Sequence, residues 1–170
     1  MMKKIFLLVC TFISLLNISV NAQDTVLVKQ RANLLAQAMI KGDYPTIINN
    51  TYPKAVQMAG GKEKMIQLIS TGIEQMKGMG LSFEAISMGT PGKFYKAGTE
   101  IHCLVPENIT FKTPQGRLLS HSNLLGISKD GGKSWTFLDV NNSSREKLKL
   151  ILPNINPDLQ IPKATVEQIP

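Results

Sequence analysis

The feature that most constrains this chain is a change of hydrophobic period near Leu81. Before it, apolar residues recur every three or four positions: Val28, Ala32, Leu35 and Met39, then Met65, Ile69, Ile73 and Met76. After it they alternate, as in Ile101, Cys103 and Val105. The first pattern makes helices with one greasy stripe, and the second makes strands with one greasy face. Helices followed by strands predict an α+β fold, with the N-terminal helices packed on one face of a curved antiparallel sheet. No repeat of solenoid or propeller length is present.

Punctuation along the chain divides these layers. Asp24 or Thr25 is suited to cap a first helix running to about Lys41, stopped by Gly42. Asp43 before Tyr44-Pro45 and Thr51 before Tyr52-Pro53 predict two short helices. Gly60-Gly61 separates them from a longer helix over about 62–77. Strands are predicted over 81–88, near 94–95, over 99–112, 117–129 and 133–140, with Pro106 marking a bulge or an edge. Ser143 or Ser144 caps a last helix to about Leu152. The tail, residues 153–170, carries four prolines and reads as extended. Leu159 and Ile161 are the tail residues suited to dock, and the final residues read as loose.

Residues 1–22 read as a cleavable signal peptide. Lys3 and Lys4 precede an apolar run from Ile5 to about Leu16, too short to span a bilayer, and Val20-Asn21-Ala22 fits a small-x-small cleavage site. The expected mature protein is one α+β domain over 23–152 plus the tail, exported to a periplasmic or extracellular location, with no transmembrane segment. Only Cys103 remains after cleavage, so the core and not a disulfide must stabilise it; its strand position reads as a small buried hydrophobe. The net charge is +7, or +5 without Lys3 and Lys4, and the basic residues are scattered. That pattern argues against nucleic-acid binding.

Ser128-Lys129-Asp130-Gly131-Gly132-Lys133-Ser134-Trp135 resembles the Asp-box hairpin of sialidases. Asp130 is suited to accept backbone N–H groups within the turn, Gly132 to adopt positive φ, and Trp135 to lie across the returning strand. A single box in a chain this short implies a structural turn built from Ser128, Asp130, Gly132 and Trp135 and no glycosidase.

No sequence pattern commits the chain to a catalytic site, a metal or a cofactor. His102 and His121 fall on one hairpin, more than about 20 Å apart at the usual strand rise, so a shared metal is not expected. A pairing sum of about 262 for the second hairpin places Asn123 opposite Asp139. His121 would then reach Asp139 across a diagonal, as an ordinary surface pair or an acid–base dyad. Tyr44 and Tyr52 either rim a pocket or pack over the helix junction. These four residues, Tyr44, Tyr52, His121 and Asp139, are the ligand-binding candidates. The methionines fill the core or line an adaptable apolar pocket.

The helical segments KGDYPTIINNTYPKAV and GGKEKM, followed by a meander ending in SKDGGKSWTFLDV, resemble the nuclear transport factor two-like superfamily. Exported bacterial members of the Bacteroides type are the most similar. The resemblance covers about 24–140 and implies a cystatin-like cone, a bent sheet wrapped on a long helix with a cavity at its open end. It further implies homodimers in many members, and either ligand or partner binding or isomerase and dehydratase chemistry. The helix and tail after Val140 depart from the minimal fold and put both an open pocket and the usual dimer face in doubt. Two functions follow as expectations. One is a non-enzymatic domain for a small apolar molecule or an envelope protein partner. The other is a cofactor-free isomerase or dehydratase using His121 with Asp139, or a tyrosine.

Overall fold

A computed structural model describes residues 19–141 and 143–170, with side chains from residue 25. The expected leader and its cleavage site lie outside the residues whose side chains are described. Among the described residues four helices come first: α1 (Ser19–Lys41), α2 (Tyr44–Asn50), α3 (Pro53–Met58) and α4 (Lys62–Gly78). Then come β1 (Ser82–Met88), β2 (Tyr95–Ala97), β3 (Glu100–Thr113), β4 (Gly116–Ser128), β5 (Thr136–Asp139), α5 (Arg145–Ile151) and β6 (Thr165–Ile169). The result is an α+β fold, helices first, with a curved, open antiparallel sheet of six strands.

α1 already includes Ser19, ahead of the expected start, since nothing between Ser19 and Thr25 breaks a helix. Asp43 caps α2 through an N–H of Thr46. Thr51 does not cap α3. It bridges to Phe137 of β5, and Tyr52 takes the capping position without a side-chain bond.

The long hairpin β3–β4 is the spine of the sheet. Its register runs from Ile101 opposite Ser128 to Thr113 opposite Gly116. β1 and β2 pair along the outer edge of β3, while β5 and β6 share the outer edge of β4. Pro106 sits where β1 has ended and β2 lies further along. Its carbonyl accepts from Gly89 N, so its missing N–H points into that gap and costs no ladder bond. A Cβ on Gly89 would lie 2.9 Å from the ring of Pro106, which explains the glycine.

Alternation divides the core between two faces. On the concave face, Cys103, Val105, Leu124 and Phe137 pack against Val28, Ala32, Leu35 and Ala36 of α1. On the convex face, Leu125 and Ile127 pack against Leu148 of α5 and Leu152, Ile155 and Leu159 beyond it. The last residues are not loose: 165–169 return as strand β6 against 117–121 of β4. The reason is the edge of β4 that β5, only four residues long, leaves unpaired. Among the described residues, no helix is long and apolar enough to cross a membrane.

Candidate functional site

The concave face does not close completely against the helices. Between α1, α2, α3, α4 and the sheet lies a cavity of about 380 Å³. Its walls are apolar, with Leu35 and Met39 of α1, Met65 and Ile69 of α4, and Ile86, Ile109 and Phe111 of the sheet. A bulge at Glu84 shifts the β1 register, so Phe83 opposes Phe111 and Ile86 opposes Ile109. Both side chains therefore face the cavity although they are three residues apart. Phe83 and Phe111 meet with ring centroids 5.3 Å apart.

Two carboxylates interrupt this wall, Glu107 of β3 and Asp139 at the end of β5. Glu107 is only 8% exposed. Ser122, directly opposite it on β4, donates its hydroxyl to Glu107 Oε2 at 3.0 Å. Burial pushes the Glu107 carboxyl above its ordinary range; the Ser122 bond opposes this and the charge of Asp139 adds to it. Asp139 lies at the exposed mouth, where its Oδ1 accepts from the backbone and side-chain nitrogens of Asn141 at 2.8 and 2.7 Å. Asn141 in turn accepts from Asn123 N at 3.2 Å, satisfying β4 between its two short partners.

The structure separates the four ligand-binding candidates. Asp139 lines the cavity. Tyr44 lines a smaller recess of about 170 Å³ that shares Met39 and Phe83 with it. Tyr52 is buried elsewhere, its hydroxyl donating to Glu100 Oε1 at 2.9 Å with Lys129 Nζ 4.8 Å from its ring centroid. Burial, reinforced by Glu100, raises its pKa to about 12. His121 is on the convex face, with Nδ1 2.7 Å from Asn108 Oδ1 and Nε2 3.4 Å from Glu167 Oε1.

The His121–Asp139 contact is not made, and its failure has a simple origin. The second hairpin pairs Leu124 with Asp139, one residue away from the expected Asn123 with Asp139. A slip of one residue in a strand exchanges its faces. His121 and Asp139 therefore point to opposite sides of the sheet. The first hairpin keeps the expected register, with His102 opposite Ile127 and His121 opposite Asn108.

Glu107 was the residue missed by reading the sequence. Its signal was present: the β3 face reads Ile101, Cys103, Val105, Glu107, Ile109, Phe111, one acid in an apolar row.

The Asp-box segment forms a closed turn apart from the cavity. Asp130 Oδ1 accepts from Ser134 N at 2.9 Å and from the Ser128 hydroxyl at 2.9 Å, and its Oδ2 accepts from the Ser134 hydroxyl at 2.6 Å. Ser128 Oγ accepts from Gly132 N at 2.8 Å. Gly131 and Gly132 both adopt positive φ. These bonds, led by Ser134, lower the Asp130 pKa to about 2. Trp135 donates Nε1–H to Gly132 O and packs on Phe94. A Cβ on Gly126 would lie 3.2 Å from Cys103 Sγ, a tight approach, and in ordinary contact with Phe137 and Trp135.

Cys103 is fully buried, and burial raises its thiol pKa to about 12. Among the described residues, no group of three or more His, Cys, Asp or Glu side chains is placed to hold a metal ion. No protein-family model matches the chain, and no curated protein matches it in sequence.

Proposed function

We propose that this chain is an exported, non-enzymatic domain of the nuclear transport factor two-like kind that binds a small apolar molecule between its helices and the concave face of its sheet. The observation that carries this reading is the apolar cavity of about 380 Å³, a volume within the usual range for small-molecule sites. Met39 and Met65 in its wall can repack around a guest. The tail and α5 cover the convex face and so leave this side of the domain to the ligand. Enclosure by four helices favours a small molecule over a protein partner.

Uptake of the neutral fluorophore N-phenyl-1-naphthylamine tests the reading. The purified chain is expected to enhance its emission, and Ile109→Trp, which fills the cavity from β3, to weaken uptake at least roughly tenfold while the protein stays folded. No uptake, or equal uptake by both proteins, refutes it.

A cofactor-free isomerase or dehydratase is the second reading, and Glu107 is the observation in its favour. A carboxyl group in an apolar cavity, its pKa raised by burial, is a candidate for proton transfer to or from a bound molecule. Deuterium exchange at the α-carbon of an added ketone, lost in Glu107→Gln, would support it. Binding without exchange favours the binding domain.

A further inference from the structure

We propose that the cavity selects a cationic guest, a small apolar molecule carrying one protonated amine. This rests on the reading of the cavity as a binding site and adds the chemical class of its ligand. The argument begins with the sign of its charges. Among the described residues, Glu107 and Asp139 are the charged side chains in the lining, with no lysine, arginine or histidine. Of the linings that adjoin it, the smaller recess beyond Met39 and Phe83 carries Lys41 and Lys77, and a groove sharing Thr51 carries Lys62.

Glu107 is more than nine-tenths buried, and the protein satisfies only part of it. Oε2 is held by Ser122, while Oε1 takes no hydrogen bond among the described residues and is not sealed from the cavity. At Asp139, both bonds from Asn141 fall on Oδ1 and leave Oδ2 free. One wall thus presents two unused acceptor oxygens on carboxylates that repel one another, Glu107 buried where charge interactions are weakly screened and Asp139 at the exposed mouth.

Three guests of similar shape meet this wall differently. A carboxylate adds a third negative charge and is rejected. An alcohol can donate one hydrogen bond but leaves the repulsion between Glu107 and Asp139 in place. An ammonium group donates to Oε1 and also cancels that repulsion, so charge complementarity favours it over both. The apolar walls cover the rest of the guest.

Displacement of N-phenyl-1-naphthylamine by 1-adamantanemethylamine, 1-adamantanemethanol and 1-adamantanecarboxylate measures this preference at neutral pH. The amine is expected to bind at least roughly tenfold more tightly than the alcohol, and the carboxylate most weakly. In Glu107→Gln, which keeps the side chain's shape, the amine-to-alcohol ratio is expected to fall to within about threefold; Asp139→Asn is expected to lower it partway. Circular-dichroism melts establish that each variant is folded. An alcohol or carboxylate that equals the amine overturns the proposal, as does an amine preference that survives in folded Glu107→Gln. Uptake of the fluorophore without displacement by the amine also overturns it but leaves the cavity reading standing. Failure of the fluorophore itself to bind overturns both.

Discussion

Replacing Leu159 by alanine asks whether the C-terminal segment is part of the core or only laid upon it. Leu159 is fully buried among the convex-face residues that include Leu125, Ile127, Leu152 and Ile155. Its backbone is fixed independently of its side chain. Arg145 donates to the carbonyls of Leu159 and Asn156, and Asn156 Nδ2 donates to Lys96 O at 2.8 Å. The chain therefore cannot sink to fill the space the substitution leaves, and the cost should include a retained cavity. Comparable Leu→Ala substitutions at buried sites cost about 3–5 kcal/mol, and a site at the end of a chain falls toward the lower figure, about 3 kcal/mol. For a domain of this size that is about 6–12 °C in Tm, and a large share of the total stability of a typical domain. Urea denaturation followed by circular dichroism is the assay. The midpoint should fall while the slope with denaturant stays unchanged. Leu150→Ala on α5, where the side chain is 69% exposed, is the control and should change stability by less than about 0.5 kcal/mol. A loss below about 1 kcal/mol at Leu159 would refute the claim that the tail is a structural member of the fold.

Three other predictions follow from titratable and reactive groups. The raised pKa of Glu107 means the folded state favours its neutral form, so its contribution is intact below the ordinary value of 4.5 and is lost as pH rises through the folded value. Glu107→Gln should therefore gain stability relative to the native chain with rising pH in urea titrations; a gap independent of pH would contradict the assigned cause. Asp130 has the opposite sign: its stabilisation is present above the ordinary value of 3.8 and is lost as pH falls toward about 2. Asp130→Asn should be less stable than the native chain at neutral pH, with the difference shrinking across that acid window; equal melting curves at neutral pH would count against the turn network. The Cys103 thiol, buried and raised to about 12, should resist alkylation by iodoacetamide at mildly alkaline pH until the chain is unfolded in urea. Rapid labelling of the folded protein, read by mass spectrometry, would show the site to be open.

Much of the architecture was legible because it depends on local physics. The Gly and Pro punctuation divides the helices, and the two-residue Pro114–Gln115 turn fixes the long hairpin, whose register follows from the turn alone. The second hairpin was less legible because its loop is long and internally bonded. Ser128, Asp130 and Ser134 set its shape, and nothing in residue counting distinguishes one pairing from the next. That single step moved Asp139 into the cavity and left His121 outside it. The end of the chain was illegible for a different reason. Thr165–Ile169 is exposed along most of its length and has no apolar alternation to announce a strand; it forms one because β4 offers an open edge.

The sequence by itself determined the layering, since the period of the apolar residues decides which segments coil and which extend before any long-range contact exists. The cavity, and the company Glu107 keeps within it, were decided only in three dimensions. A buried carboxyl is defined by what surrounds it, and its surroundings are Ser122 from the neighbouring strand, Asp139 from the one beyond, and helices drawn from the first half of the chain. Distance along the chain carries no record of these approaches. They follow from register and packing, where one residue's shift turns a surface group into a cavity wall.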